Sequence, residues 1–139
     1  MIFFIAPVKS ALLINNSASL PHKVYLLVKG NNWQTGDLVA IKDFVTKYSQ
    51  NQHFTKKIVG IAGDVITVMG DYVLVNGTKC AKLKAKTLDH KQLTPIKAQT
   101  ILPQYFLVVA THKDSFDSRY QEFGLVKGEY IEGKAYPIW

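Results

Sequence analysis

The stretch FTKKIVGIAGDVI, from Phe54 to Ile66, sets two adjacent lysines beside an apolar run. Isoleucine and valine occupy both odd and even positions from Ile58 to Ile61. This pattern is typical of a strand that is covered on both faces. The stretch therefore predicts that at least one of the two lysines, Lys56 or Lys57, points into a region with little water.

The sequence around this stretch repeats the pattern of a short apolar run followed by turn residues. Helical periodicity is almost absent, which predicts an all-β fold with antiparallel sheets and little helix. Two dipeptides, Gly70-Asp71 and Asn76-Gly77, predict hairpin turns, and the second is the stronger type I′ signal. The strand candidates are KVYLLVKG, DLVAIKD, KKIVGIAG, DVITVMG, DYVLVNG, QYFLVVAT and YIEGKAYPIW.

The interval from Lys82 to Thr100 is the most polar part of the chain. Its lysines and its single proline, Pro95, predict an excursion over the protein surface.

The length and charge of the chain limit its organisation and its partners. At 139 residues the chain is most simply one domain. Its 17 Lys and Arg residues against 10 Asp and Glu give a net charge of +7, which favours a phospholipid surface, nucleic acid or an acidic protein as neighbour. Cys80 is the only cysteine, so the chain forms no internal disulfide.

The N-terminal segment MIFFIAPVKSALLI, residues 1–14, is apolar but shorter than the roughly 20 residues of a membrane-spanning helix. Its lysine follows the apolar residues, which is the reverse of the order in a secretory signal peptide. Two interpretations stay open: an opening strand of the domain, or the remnant of a longer membrane anchor. The predicted domain then covers residues 15–139.

Metal chemistry is not indicated by the sequence. The four histidines lack the close spacing of a zinc site, and no HExxH motif is present. Gly60 and Gly63 lie between two strand candidates, so they predict a tight turn and not a phosphate loop. We expect neither a metal nor another cofactor.

Two serines, Ser17 and Ser19, stand two residues apart just before Pro21. In an extended segment both hydroxyls face the same side, although serines before a proline more often form a simple turn. A serine needs a base to become a nucleophile, and a desolvated lysine can serve as that base. An ordinary lysine is neutral only to about one part in a thousand near pH 7, but burial can lower its pKa by about 3 to 5 units.

Three motifs occur in an order that resembles the type I signal peptidases: NNSASLP (15–21), KKIVGIAGD (56–64) and DSFDSRYQEFG (114–124), followed by EGKAYPI near the C-terminus. The similarity runs from Asn15 to the C-terminus and looks closest to the TraF-type peptidases of conjugative plasmid transfer. It implies the all-β catalytic core of a membrane-tethered serine protease with a Ser-Lys dyad. Such enzymes cut after small residues on the outer face of the inner membrane.

The resemblance assigns roles by position. Ser19 matches the nucleophile and Lys56 matches the general base, while Lys57 falls where the family usually has arginine. Ser17 matches the hydroxyl that, with the backbone N–H of Ser19, forms the oxyanion hole.

The third motif supplies supporting residues. Ser115 matches a hydroxyl that orients the lysine amine. Asp117 and Arg119 match a carboxylate and a guanidinium that brace the same corner. In TraF-type enzymes an aspartate has been viewed as a third catalytic member, but we expect bracing and not proton transfer.

The chain also departs from the common signal peptidase pattern. ATHKDSFDSR lacks the usual Gly-Asp-Asn, Ala62 stands where proline is usual, and Ser19-Leu20-Pro21 is one residue short. With no large insertion, these departures favour the pilin-processing branch over a general signal peptidase. The implied partner is an extended segment of an exported protein or pilin precursor, with no nucleic acid. The implied location is the periplasmic face of the inner membrane, where an N-terminal segment longer than residues 1–14 would anchor the domain.

Two other classes share parts of this pattern. The +7 charge and the aromatic residues Tyr25, Tyr72 and Tyr105 would also suit a β-barrel that binds single-stranded nucleic acid. A self-cleaving repressor-type protease shares the dyad, but it needs a cleavable loop and usually a helical DNA-binding domain. No helical pattern precedes Ser17.

Overall fold

The computed structural model describes residues 10–14, 24–30, 32–41, 54–84, 93–110 and 116–137. Within these ranges the chain forms short strands and a single 3₁₀ turn, Gly128–Tyr130. The strands are β1 Ser10–Ile14, β2 Val24–Val28, β3 Leu38–Ile41, β4 Phe54–Gly60, β5 Val65–Met69, β6 Tyr72–Val75, β7 Thr78–Lys82, β8 Gln99–Thr100, β9 Tyr105–Val109, β10 Val126–Lys127 and β11 Ile131–Pro137.

The strands form two sheets, one of seven strands and one of four. The large sheet has the order β1-β2-β11-β3-β4-β9-β10, and the small sheet has the order β7-β6-β5-β8. Every recorded strand pair is antiparallel. The prediction of an all-β fold with antiparallel sheets is confirmed, and each of the seven strand candidates overlaps a strand.

The small sheet is built on the two predicted hairpins. Gly70 and Asp71 connect β5 to β6, and Met69 pairs with Tyr72. Asn76 and Gly77 connect β6 to β7 with φ angles of 50° and 83°. Two successive residues with positive φ are the signature of a type I′ turn, as predicted.

Strand β4 is covered on both faces, as its apolar residues predict. On one face Ile58 packs in a cluster with Val108 of β9. On the other face Val59 packs against a second cluster, which joins Leu107 and Val109 of β9 to the small sheet. The members of the first cluster are Trp33, Val39, Ile41, Ile58, Val108, Phe123, Val126 and Ile131, and those of the second are Ile66, Val73, Val75, Ala81, Ile96, Ile101, Leu107 and Val109.

Residues 93–100 expose six of their eight side chains, as the predicted excursion over the surface requires, but two apolar side chains anchor the segment in the core. Leu93 and Ile96 are 6% and 2% exposed, and Ile96 belongs to the second cluster. Gln99–Thr100 forms β8 and pairs with β5. Single apolar side chains spaced among polar residues give no clear periodicity, although they are sufficient to anchor the segment. Residues 85–92 lie outside the described ranges.

The end of the N-terminal apolar segment forms β1, which pairs with β2 at the edge of the large sheet. Residues 1–9 lie outside the described residues, so the boundary at residue 14 stays a prediction. The described residues form no helix that is long and apolar enough to cross a membrane.

Candidate active site

Strand β4 separates its two lysines onto opposite faces. Lys56 is buried, with 2% of its surface exposed, whereas its neighbour Lys57 is exposed. Lys56 is paired with Val39 of β3, and Lys57 is paired with Val109 of β9. Because successive side chains of a strand point to opposite faces, one of two adjacent lysines enters the interior. The structure therefore identifies Lys56 as the lysine in a region with little water.

Burial changes the acid-base chemistry of Lys56. Loss of solvent lowers the pKa of its amine from 10.5 to about 8; the negative charge of Asp117 opposes this shift, and the positive charge of Arg119 adds to it. At pH 7 a lysine with this pKa is neutral in about one molecule in ten, compared with less than about one in a thousand for an ordinary lysine. The amine can thus act as a base under physiological conditions.

Asp117 and Arg119 form a buried ion pair beside this lysine. Arg119 Nε donates to Asp117 Oδ1 at 2.8 Å, and Arg119 Nη2 donates to Asp117 Oδ2 at 2.9 Å. The backbone N–H of Arg119 also donates to Asp117 Oδ1, at 3.1 Å. Two parallel bonds between a guanidinium and a carboxylate fix both orientation and distance.

The same pair holds the end of β9. Asp117 Oδ2 accepts from the backbone N–H of Ala110 at 2.9 Å, and the carbonyl of Ala110 accepts from Arg119 Nη2 at 2.8 Å. Arg119 Nη1 donates to the carbonyl of Lys82, at the end of β7, at 2.8 Å. Arg119 consequently ties the large sheet to the small sheet at this corner.

Ser118 and Tyr120 also anchor this segment, and the sequence did not single them out. Ser118 Oγ accepts from the backbone N–H of Val108 at 3.1 Å, and its own N–H donates to the Val108 carbonyl at 2.9 Å. The hydroxyl of Tyr120 accepts from the backbone N–H of Lys84 at 2.9 Å. Both residues lie within the third motif, but no sequence signal distinguished their anchoring role from that of their neighbours.

Cys80 is half-buried near the same corner, and its Sγ donates to the carbonyl of Val73 at 3.3 Å. Burial raises the pKa of its thiol to about 11. Since the thiolate is the reactive form, Cys80 is a poor nucleophile at neutral pH.

The structure brings together three of the predicted site residues, Lys56, Asp117 and Arg119. Ser17, Ser19 and Ser115 lie outside the described residues, so their roles stay predictions. Within the described ranges, no group of three or more His, Cys, Asp and Glu side chains is placed to hold a metal ion.

Comparison with known proteins gives a family-level result. The model of the family "Signal peptidase, peptidase S26" matches residues 1–139. The chain belongs to this family. The resemblance to signal peptidases stated from the three motifs is confirmed, whereas the closer resemblance to TraF-type peptidases stays a prediction.

A curated protein and a solved structure are similar to this chain. The chain is 31% identical over 93 residues to signal peptidase I of Bacillus amyloliquefaciens, an alignment that covers 60% of this chain and 49% of that protein. The chain thus spans about half the length of this curated relative. A crystal structure of a signal peptidase I from Enterococcus faecalis V583 matches with a TM-score of 0.47 and 21% identity, covering 74% of this chain and 96% of the other.

Proposed function

We propose that this protein is a serine endopeptidase that cleaves exported proteins with a dyad of Ser19 and Lys56. The observation that carries the proposal is the burial of Lys56, whose pKa is lowered to about 8, beside the Asp117–Arg119 pair. Burial of an amine lowers the stability of the folded protein, because desolvation opposes its charge. In a chain of the signal peptidase family, the role of general base accounts for that cost.

In this mechanism the neutral amine of Lys56 takes the proton of the Ser19 hydroxyl, and the serine oxygen attacks the scissile carbonyl carbon. The hydroxyl of Ser17 and the backbone N–H of Ser19 donate hydrogen bonds to the resulting oxyanion. The Lys56 ammonium then gives its proton to the leaving amine. Water, deprotonated by Lys56, attacks the acyl-enzyme and releases the serine.

Asp117 serves as a brace in this proposal. Each of its carboxylate oxygens already accepts two hydrogen bonds, one of them from a backbone N–H. Both oxygens are thus engaged in holding Ala110 and Arg119 in place. The negative charge of Asp117 limits the fall in the Lys56 pKa, and Ser115 is expected to orient the amine.

The substrate is proposed to bind as an extended segment against a strand edge, with small side chains in shallow pockets. Two substrates fit this chemistry: a secretory precursor and a pilin precursor. The departures from the common signal peptidase motifs favour the pilin precursor. If the amine of a peptide terminus replaces water in the second step, the product is cyclic.

We place the domain on the periplasmic face of a bacterial inner membrane. The net charge of +7 supports contact with an anionic phospholipid surface.

The proposal is tested by incubating the protein with a secretory precursor and with a pilin precursor, followed by mass spectrometry. We expect cleavage after a small residue, and its loss in Ser19→Ala and Lys56→Met but not in Lys57→Met. A cyclic product would be lighter than the linear one by one water. Cleavage that survives Ser19→Ala would contradict the dyad, and cleavage of the secretory precursor alone would contradict the pilin assignment.

A further inference from the structure

A second groove lies at the mouth of the space between the two sheets, on the opposite side of β4 from Lys56. It has a volume of about 480 Å³. Residues 79–82 of β7 form one wall, and Lys57, Val59 and Val109 form the facing wall. Ala110 and Arg119 of the corner beside Lys56 also line it, so the groove adjoins that site from the other side of β4.

The wall formed by β7 presents the edge of the strand to the groove. Successive side chains of a strand point to opposite faces, so a groove that contacts only one face would be lined by alternate residues. Here four consecutive residues line the groove, which means that the edge of the strand itself faces it. In the described part of the chain, β7 is the edge strand of the small sheet and pairs only with β6.

The charge of the groove is positive at its rim. Lys57, Lys79 and Lys82 are exposed there, while the charge of Arg119 is balanced by Asp117. No aspartate or glutamate is among the described residues that line the groove. The facing wall is apolar at Val59 and Val109, and Ala110 lies next to it.

We propose that this groove is a second peptide-binding site, which takes an extended acidic segment of a partner polypeptide by pairing it with β7. The backbone of the peptide would bond to the edge of β7 ahead of Lys82, whose carbonyl already accepts from Arg119 Nη1. Its acidic side chains would meet the three lysines, and its small apolar side chains would cover the apolar wall. Lysines on an edge strand also hinder pairing between copies of the chain, but that role needs no apolar wall opposite the edge.

Peptide binding in this groove does not require the dyad, so it is measured directly and not through cleavage. The probe is a fluorescein-labelled peptide that alternates glutamate with alanine, and its fluorescence anisotropy is followed with the full chain at low and high salt. We expect binding that weakens with salt, and no binding of the same peptide with lysine in place of glutamate.

The decisive variant is the double substitution Lys79→Glu with Lys82→Glu, which should weaken binding at least about tenfold. The matched control is Lys29→Glu with Lys97→Glu, two exposed lysines outside the groove that change the net charge equally. We expect less than about a twofold effect from this control. Equal losses in both double variants would overturn the proposal, because net charge alone would then explain binding.

Two further measurements separate strand pairing from other modes of binding. N-methylation of alternate peptide residues removes backbone donors and should abolish binding, and peptide-saturated wild-type protein should show slowed hydrogen exchange in residues 78–82. Unchanged exchange, or unchanged binding of the methylated peptide, would overturn the pairing. Displacement of the peptide by phosphatidylglycerol vesicles but not by phosphatidylcholine vesicles would instead assign the groove to a lipid headgroup.

Discussion

Asp117 and Arg119 are joined by two parallel hydrogen bonds of 2.8 and 2.9 Å, and both side chains are almost completely buried. The pair presents charges of both signs to Lys56, and its two members shift the lysine pKa in opposite directions. Desolvation is then left as the dominant influence on the amine. The pair therefore positions the corner without cancelling the effect of burial.

Asp117→Asn is expected to lower stability and activity together. The amide removes the charge partner of a buried guanidinium, and breaking a buried ion pair costs about 3–5 kcal/mol. Urea unfolding beside a peptide cleavage assay measures both effects. The control is Glu129→Gln, which breaks the exposed Lys127–Glu129 pair and should leave stability almost unchanged. Lost activity at unchanged stability would make Asp117 a catalytic residue.

The pH profile of cleavage should report the buried base. The amine must be neutral to accept a proton, so kcat/KM is expected to rise with pH to a midpoint near 8. Lys56→Arg should be inactive, because a guanidinium keeps its proton at neutral pH. Lys57→Arg, on the other face of β4, should keep the wild-type profile. Near wild-type turnover in Lys56→Arg would show that only positive charge is needed.

Stability should also depend on pH through Lys56. Below pH 8 the folded and unfolded states both hold the proton, so this group contributes no slope. Between about 8 and 10.5 the unfolded state binds more protons, so the free energy of unfolding rises with pH, in total by on the order of 3 kcal/mol. Urea unfolding of the wild type and of Lys56→Met across this range isolates the effect. Parallel curves for the two proteins would exclude the lowered pKa.

The two serines are expected to differ in severity. Ser19→Ala should abolish cleavage, because it removes the proposed nucleophile, and should leave the circular dichroism spectrum unchanged. Ser17→Ala should reduce kcat by about 10- to 1000-fold, as expected for one oxyanion donor. Single-turnover kinetics on one peptide measure both variants. A larger loss at Ser17 than at Ser19 would reverse the two assignments.

Gly60 lies at a close approach between the sheet and its core. A Cβ at this position would lie 2.7 Å from Ile101 Cδ1 and 3.2 Å from Leu107 Cβ. Gly60→Ala is therefore expected to destabilise the protein by about 1–3 kcal/mol through overpacking. Ile101→Val removes the closest atom. The double variant should therefore be destabilised by less than the sum of the two single variants. Strict additivity in urea unfolding would show that Ile101 is not the obstacle.

Local sequence predicted the strands in which apolar side chains follow a clear pattern. The apolar residues around Lys56 predicted a strand covered on both faces, and Asn76-Gly77 predicted the turn that forms. Strand β7 was missed because Thr78–Lys82 is largely polar, as an exposed edge allows. The burial of Ile96 was not predicted, because a single apolar residue among polar ones gives no periodic pattern.

The backbone contacts of the site could not be predicted in the same way. The motif suggested that Asp117 and Arg119 brace a corner, but the groups they hold are the N–H and carbonyl of Ala110 and the carbonyl of Lys82. Main-chain groups are present at every residue, so no residue type marks those that a guanidinium will bind. Such contacts depend on how distant segments meet in the fold.

The attachment of Ala110 to both Asp117 and Arg119 has a consequence for variation among relatives. These bonds join Ala110 to Asp117 and Arg119, so they fix both ends of the chain segment between them. Doubling the length of a flexible closed connection costs only about 0.6 kcal/mol of chain entropy. Changes of length ahead of Ser115, including the loss of the Gly-Asp-Asn triplet, can therefore accumulate while Asp117 and Arg119 stay beside Lys56.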